Sequence, residues 1–282
     1  MAISYEQTYR SVFMNLIIFA ALDEIFASLS ASDCQALATA IAKLQSQKIP
    51  LIFVSNKTRA EILSWLDIFN SSDPFIVEGG SGIFIHQSDS RFQAEDSSSV
   101  DRYYSHQLGC SYTEARAALK AVQEEISKIL RGFGDLDEES IQPLIGGTVQ
   151  EARLAKSREF SEYFLTPNRL EIEQLQSVAR EYGFKIVPGK NLSLILGGGA
   201  DIAQSISWLR QRAIAPKEQL KTVGIGYTAA DIALLAAVDL PLVVSNSTGN
   251  QPFRDRQWQT SEAADLAGWL ELVERIGEGD LE

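Results

Sequence analysis

Side chains able to do chemistry follow short apolar runs in the first part of the chain. Asp23 and Glu24 follow "LIIFAAL", and Ser55 directly follows "LIFV". Near the start of an α/β chain, such strands often deliver an aspartate pair of the form Asp-x-Asp to an active site. Here the second carboxylate is present as Asp23, whereas the position two residues before it is Ala21. The strand has therefore either lost a catalytic carboxylate or never carried one.

The segments around these residues alternate between strand and helix. The run "LIFVS" is short and continuously apolar, which is typical of a parallel strand buried on both faces. After each of the first two strands, apolar residues recur at helical spacing and predict a helix. Ser32 is the expected N-cap of the first of these helices. This β-α-β-α-β order predicts an α/β fold with a doubly wound, Rossmann-like parallel sheet. Functional residues should lie beyond the carboxyl ends of its strands, at 20–24, 55–58 and 78–82.

The middle third of the chain differs in polarity and in the order of its predicted elements. From residue 87 a polar loop leads into helices and a further strand, and strictly alternating strand and helix order resumes only after "LSLILGGGAD". We interpret residues 87–190 as an inserted α+β cap domain. Residues 1–86 and 191–282 then form one core domain.

Composition excludes several classes of function. The chain has 282 residues, 37 of them acidic and 25 basic, for a net charge of -12. Such a charge repels nucleic acid and anionic membranes. Cys34 and Cys110 lie too far apart for a metal or redox motif, and two histidines cannot build a histidine-based zinc site. Because no apolar run is long enough for a bilayer, we expect a cytoplasmic protein with no membrane span and no nucleic-acid partner.

Four strand ends carry the residues that matter for function, namely "FAALDE", "VSNKTRAE", "GGGADIAQSISWL" and "GIGYTAADIALLAAVD". In this order, and with an insertion between the second and the third, they resemble the haloacid dehalogenase (HAD) superfamily of phosphatases. More narrowly, "SNKTRAEI" and "DPFIVEGGSGIFI" are similar to segments of the mannosyl-3-phosphoglycerate phosphatase group, and "GFGDLDEES" and "EARLAKSREFSEYF" look like its cap. The resemblance covers nearly the whole chain and implies a HAD-like core with an inserted cap.

The resemblance also implies a role for each strand end. In this family one Asp attacks phosphorus, a second Asp protonates the leaving oxygen, a Ser or Thr binds the phosphoryl group, a Lys neutralises charge, and a Gly-Asp-x-x-x-Asp segment completes a magnesium site. In this sequence the nucleophile position holds Ala21, and the acid/base position holds Asp23. The lysine position holds Ile202, the metal-binding Asp position holds Tyr227, and Asp231 remains of the acidic pair.

Loss of three motif residues together favours a catalytically inactive protein, a pseudophosphatase. It would have a binding or regulatory role, toward a protein partner or a sugar-phosphate or phosphoglycerate ligand. We then expect no cofactor and no metal, with Asp23 and Asp231 as remnants of the metal site. The alternative is a residual or altered phosphatase or hydrolase acting on a sugar phosphate such as mannosyl-3-phosphoglycerate. Magnesium is relevant only to that alternative, and a form in which Asp23 activates water directly predicts turnover without the metal.

Ligand-binding candidates come from the loop after the second strand, from the third strand end and from the cap. They are Ser55, Asn56, Lys57, Thr58, Glu78, Lys156, Arg158 and Glu159. Plainer alternatives stay open: Asp23 as the cap of a turn, Lys57 as part of a helix surface, Glu78 as a solvated carboxylate, and "KSRE" as an ordinary charged surface.

Overall fold

A computed structural model describes residues 15–26, 29–94, 97–167, 169–216, 219–248, 253 and 256–280, so residues 1–14 of the predicted core lie outside the described residues. The strands are β1 (Leu16–Ala21), β2 (Leu51–Val54), β3 (Phe75–Val77), β4 (Gly82–His86), β5 (Ser98–Val100), β6 (Tyr103–Gln107), β7 (Ser161–Leu165), β8 (Phe184–Val187), β9 (Leu192–Gly197), β10 (Lys221–Gly226), β11 (Leu240–Ser245) and β12 (Gln259–Ala264). The helices are α1 (Ala31–Ser46), α2 (Arg59–Ile68), α3 (Tyr112–Ile126), α4 (Glu138–Ile145), α5 (Val149–Lys156), α6 (Arg169–Glu181), α7 (Ile202–Arg212), α8 (Ile232–Ala236) and α9 (Asp265–Glu278).

The larger sheet has nine strands in the order β12-β11-β10-β1-β2-β3-β4-β6-β5. The strands from β12 to β3 are parallel, and β4, β6 and β5 are added antiparallel at one edge. The predicted α/β fold with a large parallel sheet is thereby confirmed. The carboxyl ends of β1, β2 and β10 lie side by side, since Ala21 pairs with Val54 and Ala20 with Ile225.

Strand β1 lies between two apolar layers. Because alternate side chains point to opposite faces, Ile18 packs with Leu37 and Trp269 on one face, and Phe19 packs with Ile206 on the other. Every residue of β1 is therefore buried. Burial on both faces explains why the strand reads as one continuous apolar run.

The helix starts are fixed by capping side chains. The side chain of Ser30 accepts a hydrogen bond from the backbone N–H of Asp33, so α1 is capped by Ser30 and not by the predicted Ser32. Thr58 caps α2 in the same way, accepting from the N–H of Glu61. At the other end of the chain, residues 259–264 pair with β11 as β12, and α9 begins at Asp265.

A smaller antiparallel sheet, β7-β9-β8, forms the centre of the insert. The helices α3 and α6 pack on it through apolar residues that include Leu119 and Leu175, and a second cluster around Phe133 and Ile141 joins α4 and α5. The strands place the boundaries of the insert differently from the predicted 87–190. At its start, β5 and β6 belong to the large sheet of the core. At its end, β9 (Leu192–Gly197) belongs to the small sheet of the insert. Within the described residues, no helix has the length and apolarity needed to cross a membrane.

Candidate functional site

Asp23 lies two residues beyond the end of β1, held by the loop that follows β2. Its Oδ1 accepts a hydrogen bond from the Ser55 hydroxyl, and its Oδ2 accepts from the backbone N–H of Asn56 at 2.9 Å. The N–H of Lys57 in turn donates to Ser55 Oγ at 2.9 Å. Three of the predicted site residues, Asp23, Ser55 and Asn56, are thus brought together, although 32 positions separate the first two in sequence.

The ammonium group of Lys57 lies beside this strand end, 3.3 Å from Glu61. Burial acts to lower the pKa of Lys57, but the carboxylates of Glu61, Asp23 and Glu151 act against it, and the pKa is raised overall. Lys57 therefore stays cationic at neutral pH. Its positive charge is paired with Glu61 and also faces the carboxylates of Asp23 and Glu151.

Asp231 lies across the strand end from Asp23, after β10. Its Oδ2 accepts from the backbone N–H groups of Tyr227 at 2.8 Å and Thr228 at 2.7 Å. Burial raises the pKa of Asp231, and the charge of Asp23 adds to this, while the two backbone donors act in the opposite direction. The carboxylate thus serves as the cap of its own turn.

Tyr227 does not take over the role of a metal ligand. Its hydroxyl donates to Asp265 Oδ1 at 2.6 Å, at the start of α9. Burial and this bond to a carboxylate raise the pKa of Tyr227 to about 12, so the phenol stays neutral. Ile202, in the predicted lysine position, begins α7 and packs against the apolar layer that contains Phe19 and Ile206.

The side chains at this strand end do not fit a magnesium ion. Magnesium requires an octahedron of hard oxygen ligands. Ala21, Ile202 and Tyr227 occupy three of the motif positions, and none of their side chains supplies a carboxylate to join Asp23 and Asp231. Among the described residues, no group of three or more His, Cys, Asp or Glu side chains could hold a metal ion.

Two cavities meet at Asp23. The smaller, of ≈ 70 Å³, lies directly at the strand ends and is lined by Ala21, Asp23, Ser55, Tyr227 and Asp231, among others. The larger, of ≈ 540 Å³, lies between the large sheet and the insert. Its walls carry Lys57 and Trp65 from the core and Tyr163 and Lys190 from the insert. The walls of the larger cleft also carry four carboxylates, Asp23, Glu24, Glu61 and Glu151, and its volume is that of a site for a small organic molecule.

The candidates from the third strand end and the cap contact each other. Glu78 and Arg158 are both buried, with Arg158 Nε 3.5 Å from Glu78 Oε2. The alternatives of a solvated carboxylate and of a charged surface are therefore wrong for these two residues. Glu159 pairs with Arg59 at 2.7 Å, and Lys156 donates to the Leu136 carbonyl within the insert. Thr58 donates to the Leu154 carbonyl in addition to capping α2.

Two site features were not expected from the sequence. Trp65 and Tyr163 line the larger cleft, and Asp265 binds the hydroxyl of Tyr227. The only sequence signal for Trp65 is its place on the helix that follows Ser55, where it reads as an ordinary core residue. Tyr163 and Asp265 carry no such signal, because their partners are distant in sequence.

The burial of Asp231 leads to a prediction about pH. The raised pKa means that the folded state favours the protonated carboxyl of Asp231. The resulting contribution to stability is present below the unfolded-state pKa of 3.8 and is lost as the pH rises through the folded-state pKa. The amide introduced by the substitution Asp231→Asn carries no charge to bury. Relative to the parent, the free energy of unfolding of the variant should therefore increase from about pH 4 to pH 7. Urea unfolding at a series of pH values measures this, and a difference that does not vary with pH would contradict it.

The fold defines the class of the protein. A haloacid dehalogenase-like hydrolase from Bacteroides thetaiotaomicron superposes with a TM-score of 0.64 at 13% identity, over 93% of this chain and 99% of that one. A haloacid dehalogenase-like hydrolase from Bacillus subtilis gives a TM-score of 0.61 at 12% identity, over 93% of this chain and 100% of that one. The chain therefore has the fold of the HAD superfamily. No protein-family model matches it.

The sequence relatives place the chain within that class. It is 29% identical over 237 residues to a glucosyl-3-phosphoglycerate/mannosyl-3-phosphoglycerate phosphatase of Methanococcoides burtonii, covering 84% of this chain and 87% of that protein. A protein of the same name from Persephonella marina is 27% identical over the same shares of the two chains. A mannosyl-3-phosphoglycerate phosphatase of Pyrococcus furiosus is 26% identical, over 73% of this chain and 82% of its own. Within the HAD superfamily the chain is mannosyl-3-phosphoglycerate phosphatase-like.

These relatives overturn one expectation. Catalytic inactivity was inferred from the residues at three motif positions, but the curated relatives that match over most of the chain are phosphatases. The interpretation as a pseudophosphatase is therefore wrong. The alternative, an altered phosphatase or hydrolase acting on a sugar phosphate, fits these findings better.

Proposed function

We propose that the chain is a phosphohydrolase that acts on a sugar phosphate of the glucosyl- or mannosyl-3-phosphoglycerate class. The observation that carries the proposal is the fixed position of Asp23, at the junction of the smaller cavity and the larger cleft, in a chain similar to curated phosphatases of that class. Lys57 and Lys190 line the cleft and offer positive charge to a phosphate and a carboxylate. Trp65 and Tyr163 offer apolar surface to the sugar.

With Ala21 at the end of β1, the attacking group in this proposal is water. Each carboxylate oxygen has two lone pairs, and the bonds from Ser55 and Asn56 use one on each oxygen of Asp23. A remaining lone pair accepts a proton from a water molecule in the small cavity as the water oxygen bonds to phosphorus. The ester P–O bond breaks, and the leaving oxygen receives the proton from Asp23. The products are inorganic phosphate and the glycosylglycerate alcohol.

Ser55 and the loop that follows it bind the phosphoryl group in this proposal. The Ser55 hydroxyl and the cationic side chain of Lys57 lie where negative charge accumulates on the phosphoryl oxygens. Because the strand-end residues do not fit magnesium, no step passes through a metal, and turnover is expected to persist in a chelator. The cofactor requirement would then differ from the magnesium dependence that the HAD resemblance implies.

The test is phosphate release by the purified full chain. Glucosyl-3-phosphoglycerate, mannosyl-3-phosphoglycerate and, as a control lacking the sugar, 3-phosphoglycerate are each supplied with EDTA or with magnesium. Release from a glycosylated substrate that survives EDTA supports the proposal. Absence of release from all substrates under both conditions would overturn it.

Thermal unfolding separates binding from turnover. A ligand at 100 times its Kd stabilises the folded state by about 2.7 kcal/mol. We expect a rise in Tm with the glycosylated substrate or its product and no rise with magnesium alone. A rise with magnesium alone would show that the strand end holds the ion after all.

A cytoplasmic location belongs to the same proposal. It is supported by two free cysteines, Cys34 and Cys110, and by the acidic composition. Cell fractionation with an antibody against the chain tests it, and recovery in a membrane or extracellular fraction would contradict it.

A further inference from the structure

The turn after β3 connects the insert to the loop that holds Asp23. Glu78 lies in this turn with φ of +50°, in the left-handed region that non-glycine residues rarely adopt, and its side chain is completely buried. Its backbone N–H donates to the Lys57 carbonyl at 3.1 Å, and the N–H of Gly79 donates to the Ser55 carbonyl at 3.2 Å. A buried carboxylate on a strained backbone persists only where the surrounding structure holds it.

The insert supplies what holds that carboxylate. Glu78 Oε1 accepts from the N–H of Glu159 at 2.8 Å, and Oε2 accepts from the N–H of Phe160 at 3.1 Å and from the Ser161 hydroxyl at 2.5 Å. Hydrogen bonds to an ionised carboxylate are charge-assisted and stronger than bonds between neutral groups. Segment 159–161 of the insert is therefore fixed to the turn of the core.

Arg158 extends these contacts to the Asp23 loop. Its side chain is 0% exposed, and its Nη2 donates to the Asn56 carbonyl at 2.9 Å and to Ser161 Oγ at 2.8 Å. The guanidinium also lies over the ring of Tyr163, 4.3 Å from its centroid. The N–H of the same Asn56 donates to Asp23 Oδ2. Residue 56 is thus held from both sides, by Arg158 at its carbonyl and by Asp23 at its N–H.

We infer that Arg158 is a positioning residue, which sets the orientation of Asn56, and through it of Asp23, only while the insert is seated on the core. Glu78, Arg158 and Ser161 form what we call the cap latch. The inference rests on the proposed function for its effect on turnover. Its structural part, that Asn56 is ordered by the insert, stands independently of any activity.

The position of Arg158 distinguishes this role from ligand binding. A side chain that contacts substrate raises KM when it is removed, whereas one that only orders the catalytic group lowers kcat. Since the guanidinium is buried and donates three hydrogen bonds to protein groups, its removal should act on kcat. The planar, forked guanidinium reaches Ser161 and Asn56 together, which the single ammonium of a lysine cannot do with the same geometry.

The first experiment uses unaltered protein. If the cap latch opens as a unit, hydrogen exchange of the Asn56 amide should follow that of the Glu159 and Phe160 amides, with rates and denaturant dependence that agree within about tenfold. The exchange requires no turnover, so it tests the inference even if the proposed function fails. Exchange of Asn56 that is independent of Glu159 and Phe160 would overturn the inference.

The second experiment compares Arg158→Met and Arg158→Lys with the control Arg153→Met. Arg153 is exposed and lies on α5, five positions from Arg158. A small displacement of Asp23 should lower kcat on the order of 100-fold in Arg158→Met, with KM changed by less than about threefold. Arg158→Lys should restore part of that loss, and the control should keep the parent kcat.

Exchange in the variants separates positioning from general stability. In folded Arg158→Met or Arg158→Lys, the Asn56 amide should exchange faster while amides of the β1–β10 pairing keep their protection. Uniform loss of protection across the sheet, or a rise in KM with kcat unchanged, would overturn the inference. If Arg158→Met does not fold, Arg158→Lys and the exchange of unaltered protein decide the question.

Discussion

Asp23→Asn is expected to lower kcat for hydrolysis of the glycosylated phosphoglycerate by roughly 10²–10⁴-fold, the usual contribution of a general acid–base group. An asparagine has nearly the shape of an aspartate but cannot take the proton of the attacking water. It also replaces one of the two oxygens that accept from Ser55 and Asn56 by an amide nitrogen that cannot accept. Steady-state phosphate release in EDTA measures the effect.

A matched control accompanies this variant. Asp67→Asn removes an equal charge from an exposed position on α2, away from both cavities, and should keep the parent kcat and KM. Unfolding curves of both variants show whether the loss reflects chemistry or folding. If folded Asp23→Asn kept most of the parent kcat, the proton would have to move through another group, and the assignment of Asp23 would be wrong.

The strand ends could be predicted because burial leaves a direct trace in the sequence. Strands covered on both faces need continuous apolar runs, so β1 and β2 are visible without any alignment, and polar residues mark where each strand leaves the core. Asp23, Ser55 and Asn56 then meet because parallel neighbours end at the same edge of the sheet. That part of the site follows from topology alone.

The insert and its contacts could not be predicted in the same way. Residues 87–101 read as a polar loop, yet their last residues form β5, which pairs with β6 at the edge of the large sheet, where an apolar face is not required. Glu78 and Arg158 are predicted as ligand-binding candidates, with surface charges as the alternative, but each is buried against a partner that is distant in sequence. The residues around a charged side chain in the sequence do not show whether a distant residue will pair with it in the fold.

The second large effect concerns the triple variant Ala21→Asp, Ile202→Lys and Tyr227→Asp, which should bind magnesium. Ala21 and Tyr227 line the same small cavity as Asp23, Glu24 and Asp231, so two new carboxylates would join three existing ones there. Carboxylates gathered without a cation repel one another, so the variant should be less stable than the parent in EDTA. Loss of the bond from the Tyr227 hydroxyl to Asp265 adds to this destabilisation.

Magnesium should reverse that instability. At 100 times its Kd the ion would stabilise the variant by about 2.7 kcal/mol, whereas the Tm of the parent should not respond. Phosphate release should also become magnesium-dependent and exceed that of the parent at least about 100-fold, because a nucleophile in one protease accounts for roughly a million-fold in kcat.

The control is Ala21→Asn, Ile202→Lys and Tyr227→Asn, which has the same shapes without the added negative charge. A Tm that rises with magnesium in the aspartate variant but not in the asparagine variant assigns the effect to a site built from Ala21 and Tyr227. If neither responds, the correspondence of these positions to the HAD motifs is wrong. The roles of Asp23 and Ser55 would then rest on their geometry at the end of β1 alone.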